Sequence, residues 1–216
     1  MFTSEDLQTI PDPVKVFEGE SEDFLNDIIV TEKIVQEKLE LLNTNKSQGP
    51  DEIHPKLVFE LRHSLAMPLA KLFQKSLRLG IIPQDWRDAN IAPLHKKGKK
   101  DRTENYRPVS LTSIVGKILE NIVKERVVKH LNKFQLIRPS QHGFTSGKSC
   151  LSNLLVFLEQ VTKELDEEKA VDLVYLDFAK AFDKVPYGRL FKKLEAHGIG
   201  GIVLNWIQRW LKDRRH

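Results

Sequence analysis

Residues 171–183 read VDLVYLDFAKAFD, and the architecture turns on them. Leu173, Val174, Tyr175 and Leu176 form a short apolar run of β-branched and aromatic side chains, which predicts an interior strand. The run ends on Asp177. A carboxylate delivered to the tip of a buried strand costs on the order of several kcal/mol unless a cation meets it, so the pattern points to a divalent ion. Asp172 is five residues back, an odd offset that turns it to the opposite face of the strand. Phe182 returns to the neighbourhood of Asp177 after a helical turn, and Asp183 behind it suits a cap or a structural pair as well as a ligand.

Upstream, the loop QLIRPSQHGFTSGKSC leads into a helix predicted over 148–167. Further back, a strand predicted over 89–94 runs into His95, Lys96, Lys97, Gly98, Lys99 and Lys100. A solvated loop is about as common a reading of such a run as a phosphate-facing one. The next segment, NYRPVSL, tilts the balance: Pro108 holds Arg107 extended, and a long helix follows in which Ile114, Val115, Ile118, Leu119, Ile122 and Val123 mark one face. Near the start, Thr31 caps a helix carrying Ile34, Val35, Leu39 and Leu42. Pro55 and Pro68 suit the first turns of a second and a third helix, and Gly80 stops the third. Downstream, a helix over 187–196 ends near Gly198, and a final helix begins. Residues 1–30 read as an acidic, poorly packed leader or linker, and 31–216 as the body.

Hydrophobic residues make up 40% of the chain and charged residues 30%, a globular balance that disfavours disorder and membrane classes. Of 34 Lys and Arg and 30 Asp and Glu, residues 1–40 hold 3 and 11, leaving 31 bases against 19 acids for the rest. A basic body is the electrostatic signature of a phosphate-backbone binder. Cys150 is the single cysteine and has no disulfide partner in the chain; with Leu151, Leu154 and Leu155 beside it, a core thiol in an intracellular, reducing compartment is expected. No apolar run approaches the roughly 18 residues of a membrane span, so no membrane partner is expected.

VYLDFAKAFDKVPYGRLFKKLEAHGI resembles the first palm motif of the polymerases of LINE-type, non-LTR retrotransposons, in the jockey-like group. The likeness continues in order through NKSQGPDEIHPKLV, PQDWRDANIAPLHKKGKKDRTENYRPVSLTSIVGKILENIV and QHGFTSGKSC, covering about residues 45–216. It implies an α+β fold, helix-rich fingers with a partial palm of the right-hand polymerase type. It further implies an RNA-directed DNA polymerase that takes an RNA template, a DNA primer and deoxynucleotide triphosphates, with Mg2+ or Mn2+ as cofactor.

By the same resemblance Asp177 is the first metal-binding aspartate, with the backbone carbonyl of Phe178 as a further oxygen. Phe182 lies under the sugar and selects deoxynucleotides, Arg107 meets the triphosphate, and Lys96 or Lys97 assists. Gln141, Gly143 and Lys148 support the template strand. Reverse transcriptases take further metal carboxylates from an Asp-Asp hairpin downstream, and this sequence has no Asp-Asp pair, so the chain reads as truncated within the palm and inactive alone. The competing class is a non-catalytic remnant that binds nucleic acid and does nothing further.

Three other readings fall away. GFTSGKS, residues 143–149, spaces its glycines one residue short of a phosphate-binding loop and follows no strand. His95, His142 and His197 have no partner at zinc spacing, and Trp206 and Trp210 at helical spacing suit a core or an interface better than base stacking.

Overall fold

The computed structural model describes residues 13–212 apart from 179–180 and 182–183. Helices build the core. α1 (Glu32–Glu40) is opened by Thr31, whose hydroxyl accepts the Ile34 N–H at 3.3 Å, and it buries Val35 and Leu39. α2 (Pro55–Glu60) begins on a proline, as a missing N–H permits, and leads almost directly into α3 (Arg62–Leu79). α3 lies against α1 and against α8 (Gly201–Leu211), while α5 (Ile114–Lys133) touches α1 and α7 (Tyr187–Ala196) pairs with α8.

Phe73 and Leu77 of α3, Leu119 of α5 and Val203 of α8 are wholly buried, each worth about 1.5–3 kcal/mol of apolar burial. Two polar side chains taken into this core, Trp206 and Ser76, satisfy one another. Trp206 Nε1 donates to Ser76 Oγ at 3.0 Å, and Ser76 Oγ donates in turn to the Ile81 carbonyl at 2.7 Å. Trp206 and Trp210 stack with ring centroids 4.8 Å apart, so both belong to the core. Gly80 closes α3 at φ +63°, and a Cβ there would lie 2.9 Å from Asn205 Nδ2, so glycine both turns the chain and admits α8.

After the single turn α4 (Gln84–Arg87), β1 (Ala89–His95) and β2 (Tyr106–Thr112) form an antiparallel hairpin in which Leu94 faces Arg107 and His95 faces Tyr106. This is the one sheet among the described residues, so the class is mixed helix and small sheet. α6 (Cys150–Asp166) begins on Ser149, which exchanges hydrogen bonds with Ser152, and buries none of its residues.

Four expectations are corrected. Residues 171–178 are irregular, not a strand, and Val174 and Leu176 are 79% and 88% exposed. An apolar run becomes a strand only where a neighbour takes its hydrogen bonds, and no described strand pairs with it. Pro68 lies inside α3 rather than at its start, because α3 begins at Arg62. The Cys150 thiol is exposed at the first turn of α6, not in a core. The leader packs from Phe17 onward: Val16 and Phe17 N–H groups donate to the Ala196 carbonyl at 3.2 and 3.1 Å, and Leu25 bridges Ile199. Phe17 is buried among Phe24, His130 and Phe134, with ring centroids 4.9 to 5.3 Å away, which ties the segment to α5 and α7.

Candidate nucleic-acid interface

The β1–β2 hairpin brings Lys96, Lys97 and Arg107 together. Its ladder continues one step past the strands, where the Lys96 N–H donates to the Asn105 carbonyl at 2.8 Å. Because residues on a strand alternate faces, Lys96 shares the face of Leu94 and Arg107, and Lys97 follows in the bend beyond the ladder. The loop between is tied shut from inside. His95 Nε2 donates to the Gly98 carbonyl at 3.1 Å, Asn105 Nδ2 to the Lys99 carbonyl at 2.7 Å, and Tyr106 OH to the Lys100 carbonyl at 2.9 Å. Carbonyls that would repel an anion are thus occupied, while the side chains of Lys96, Lys97, Lys99, Lys100 and Arg107 are exposed. Sequence reasoning missed Asn105 and Tyr106 as the clamps. The signal was there, since both flank the extended Arg107-Pro108 pair and close a lysine loop.

The second predicted cluster is a loop knotted on itself. Gln141 Nε2 donates to the Gly143 carbonyl at 2.9 Å, Thr145 Oγ1 to the Gln141 carbonyl at 3.2 Å, and Lys148 Nζ to the Pro139 carbonyl. Gln141, Gly143 and Lys148 are therefore brought together, with one donor of Gln141 and one of Lys148 engaged by backbone carbonyls. His142 Nδ1 is 3.0 Å from Ser152 Oγ, which pins the loop to the first turn of α6.

Asp177 and Phe178 lie on the irregular segment, both exposed. The segment turns back along α6, where Phe157 and Tyr175 approach to 6.2 Å between rings. Phe182, expected under the sugar, and Asp183 lie outside the described residues. Among the described residues no three of His, Cys, Asp and Glu gather to hold a metal ion. A magnesium ion wants six oxygens in near-octahedral order. One exposed carboxylate and one carbonyl do not make that shell, so the described residues do not by themselves fit the cation that the resemblance implies. Among the described residues, no helix is long and apolar enough to cross a membrane.

The family profile described as reverse transcriptase (RNA-dependent DNA polymerase) matches residues 94–216, more than half of the chain. The chain belongs to the reverse transcriptase family. It is 28% identical, over 87% of its length, to the probable RNA-directed DNA polymerase from transposon BS of Drosophila melanogaster, and covers 20% of that protein. It is 27% identical over 76% of its length to the RNA-directed DNA polymerase from mobile element jockey of the same fly, covering 18% of it. To a Pol polyprotein from retrotransposable element R2 of Popillia japonica it is 26% identical over 65% of the chain and 19% of the relative. The chain thus spans about a fifth of the length of these curated relatives. They place it with the reverse transcriptase domains of LINE-type, non-LTR elements. Each predicted site residue lies within the stretch that the reverse transcriptase profile matches.

Proposed function

We propose that this chain is the nucleotide- and template-facing part of an RNA-directed DNA polymerase of a retrotransposon, with residues 31–216 as fingers and the opening of a palm and residues 1–30 as an acidic leader. The observation that carries the reading is the hairpin, whose internally clamped loop leaves Lys96 and Arg107 exposed on one face. Arg107, a planar fork of donors, takes two oxygens of a deoxynucleotide triphosphate, and Lys96 adds a point charge beside it. Lys97, in the bend after the strand, is assigned to nucleic-acid backbone. Phe182 is assigned to the sugar and Gln141, Gly143 and Lys148 to the template strand, the last three held in one loop by the hydrogen bonds of Gln141 and Lys148 to backbone carbonyls. Asp177 would supply one oxygen to a divalent cation, Mg2+ or Mn2+, whose remaining ligands would have to come from outside the described residues.

The exposure of residues 173–178 and the lack of a described metal cluster favour binding without extension by this chain alone. Primer extension on an RNA template with Mg2+ and deoxynucleotides, run beside filter retention of radiolabelled template–primer and equilibrium binding of a labelled deoxynucleotide triphosphate, tests these parts. Expected are salt-sensitive template retention weakened by Lys97→Ala, triphosphate binding weakened by Arg107→Ala and Lys96→Ala, and extension at background level. Extension abolished by Asp177→Ala would establish the active polymerase instead, and triphosphate binding indifferent to both of its hairpin variants would remove the nucleotide-facing assignment.

A further inference from the structure

α3 carries a charged row that the nucleotide reading does not use. Lys71, Lys75 and Arg78 stand at i, i+4 and i+7, hence on one face, and all three are exposed. The 18 residues of α3 hold no carboxylate, so the i to i+4 pairing that ordinarily offsets such a row is missing within the helix. Beside the row runs a groove of about 550 Å³ with Glu32 as its one acid. Its floor is apolar: Val30 lines one wall, and Met67 and Leu79, 47% and 50% exposed, line the other. A phosphate backbone laid along the row would leave Met67 and Leu79 uncovered. The complement is a segment with apolar side chains and carboxylates and no bases.

Residues 1–12, MFTSEDLQTIPD, meet each condition. They offer Met1, Phe2, Leu7 and Ile10, the acids Glu5, Asp6 and Asp12 against the three cations, and neither Lys nor Arg. They lie outside the described residues, but the chain that follows them is bound to the same body. Val30, at the groove, is held to α3 by its N–H to Gln74 Oε1 at 2.8 Å, while Gln74 Nε2 donates to the Ile28 carbonyl at 3.3 Å. Residues 1–15 span up to about 50 Å when extended, against roughly 40 Å for the diameter of a body this size, so reach is no obstacle. We propose that residues 1–12 dock within the chain into this groove, carboxylates on Lys71, Lys75 and Arg78 and apolar side chains over Met67 and Leu79. Docked there, the segment covers a cationic row that would otherwise compete with the hairpin for phosphate backbones.

The chain has two methionines, Met1 and Met67, and Met67 is in the groove. Methyl-labelled methionine NMR therefore reads the site directly, with the Met67 signal assigned by Met67→Leu. In a chain lacking residues 1–12, the Met67 methyl resonance should move, and adding a synthetic peptide of residues 1–12 should return it to the full-length position. The double variant Lys71→Glu, Lys75→Glu should bind the peptide roughly tenfold more weakly, as two surface charge contacts are worth. A Met67 signal indifferent to the deletion, or equal peptide affinity in the double variant, overturns the proposal. So does a full-length shift that grows with protein concentration alongside dimer formation, which would mean exchange between copies. A Met67 response to oligouridylate but not to the peptide assigns the row to nucleic acid and overturns it as well.

Discussion

Lys117 lies in the first turn of α5, within electrostatic reach of Lys46, Asp51 and Glu120. Burial pushes its ammonium below the ordinary lysine value of 10.5, and the charge on Lys46 pushes the same way, while Glu120 and Asp51 oppose them. The direction fixes a sign. The unfolded chain keeps the Lys117 proton up to about pH 10.5, whereas the folded chain releases it earlier, so between the two values the unfolded state binds more protons and stability from this group rises with pH. Below the folded value the full penalty of a partly buried charge is present. Lys117→Met keeps the length and flexibility of the side chain and removes the charge. We expect it to be more stable than the natural chain at pH 7, with the gap closing as pH approaches 10.5, read from urea midpoints across that range. A gap constant with pH would mean that the lysine acts through packing and not through its proton.

At the scale of the element, the hairpin makes the clearest prediction. Asn105 and Tyr106 close the lysine loop by donating to the Lys99 and Lys100 carbonyls, outside the helical core, so removing them should loosen the loop without unfolding the chain. In Asn105→Ala with Tyr106→Phe, the amides of residues 96–104 should exchange faster by hydrogen–deuterium mass spectrometry and template retention should fall. The melting temperature should change by what two exposed hydrogen bonds contribute, on the order of 1 kcal/mol each or less. Unchanged exchange in the loop would remove the clamp. The elements themselves were largely legible in the sequence. The apolar spacing of α5, the Thr31 cap of α1, the Gly80 stop of α3 and the span of β1 could be read because each is dictated by residues close in the chain. Lys96, Lys97 and Arg107 fell together for the same reason: a short hairpin joins them. What sequence could not supply was partnership at a distance. Residues 173–176 have strand composition but no described neighbour to pair with, the leader is packed by Phe17 reaching Phe134 over more than a hundred residues, and Pro68 is tolerated inside α3 because tertiary packing outweighs one missing backbone bond.

Across the whole molecule, charge is divided rather than balanced: residues 1–40 hold 11 acids and 3 bases, and the remainder holds 31 bases and 19 acids. At about 0.15 M salt, charges separated by more than roughly 8 Å are screened from one another, so the acidic pole cannot cancel local binding at the hairpin. It can only lower the overall attraction at low salt. This separates a site from a net-charge effect. Each cation that displaces a counterion from single-stranded nucleic acid contributes about 0.7 to the slope of log affinity against log salt. Lys97→Ala should therefore reduce the slope for a single-stranded RNA by roughly that amount. Neutralising the exposed acids Glu20 and Glu22 with glutamine changes net charge by twice as much and should raise retention at low salt while leaving the slope in place. Filter retention from low to physiological salt reads both. If the glutamine variant shifts the slope as far as the alanine variant does, retention follows overall charge, and the hairpin loses its claim to be the place where phosphate binds.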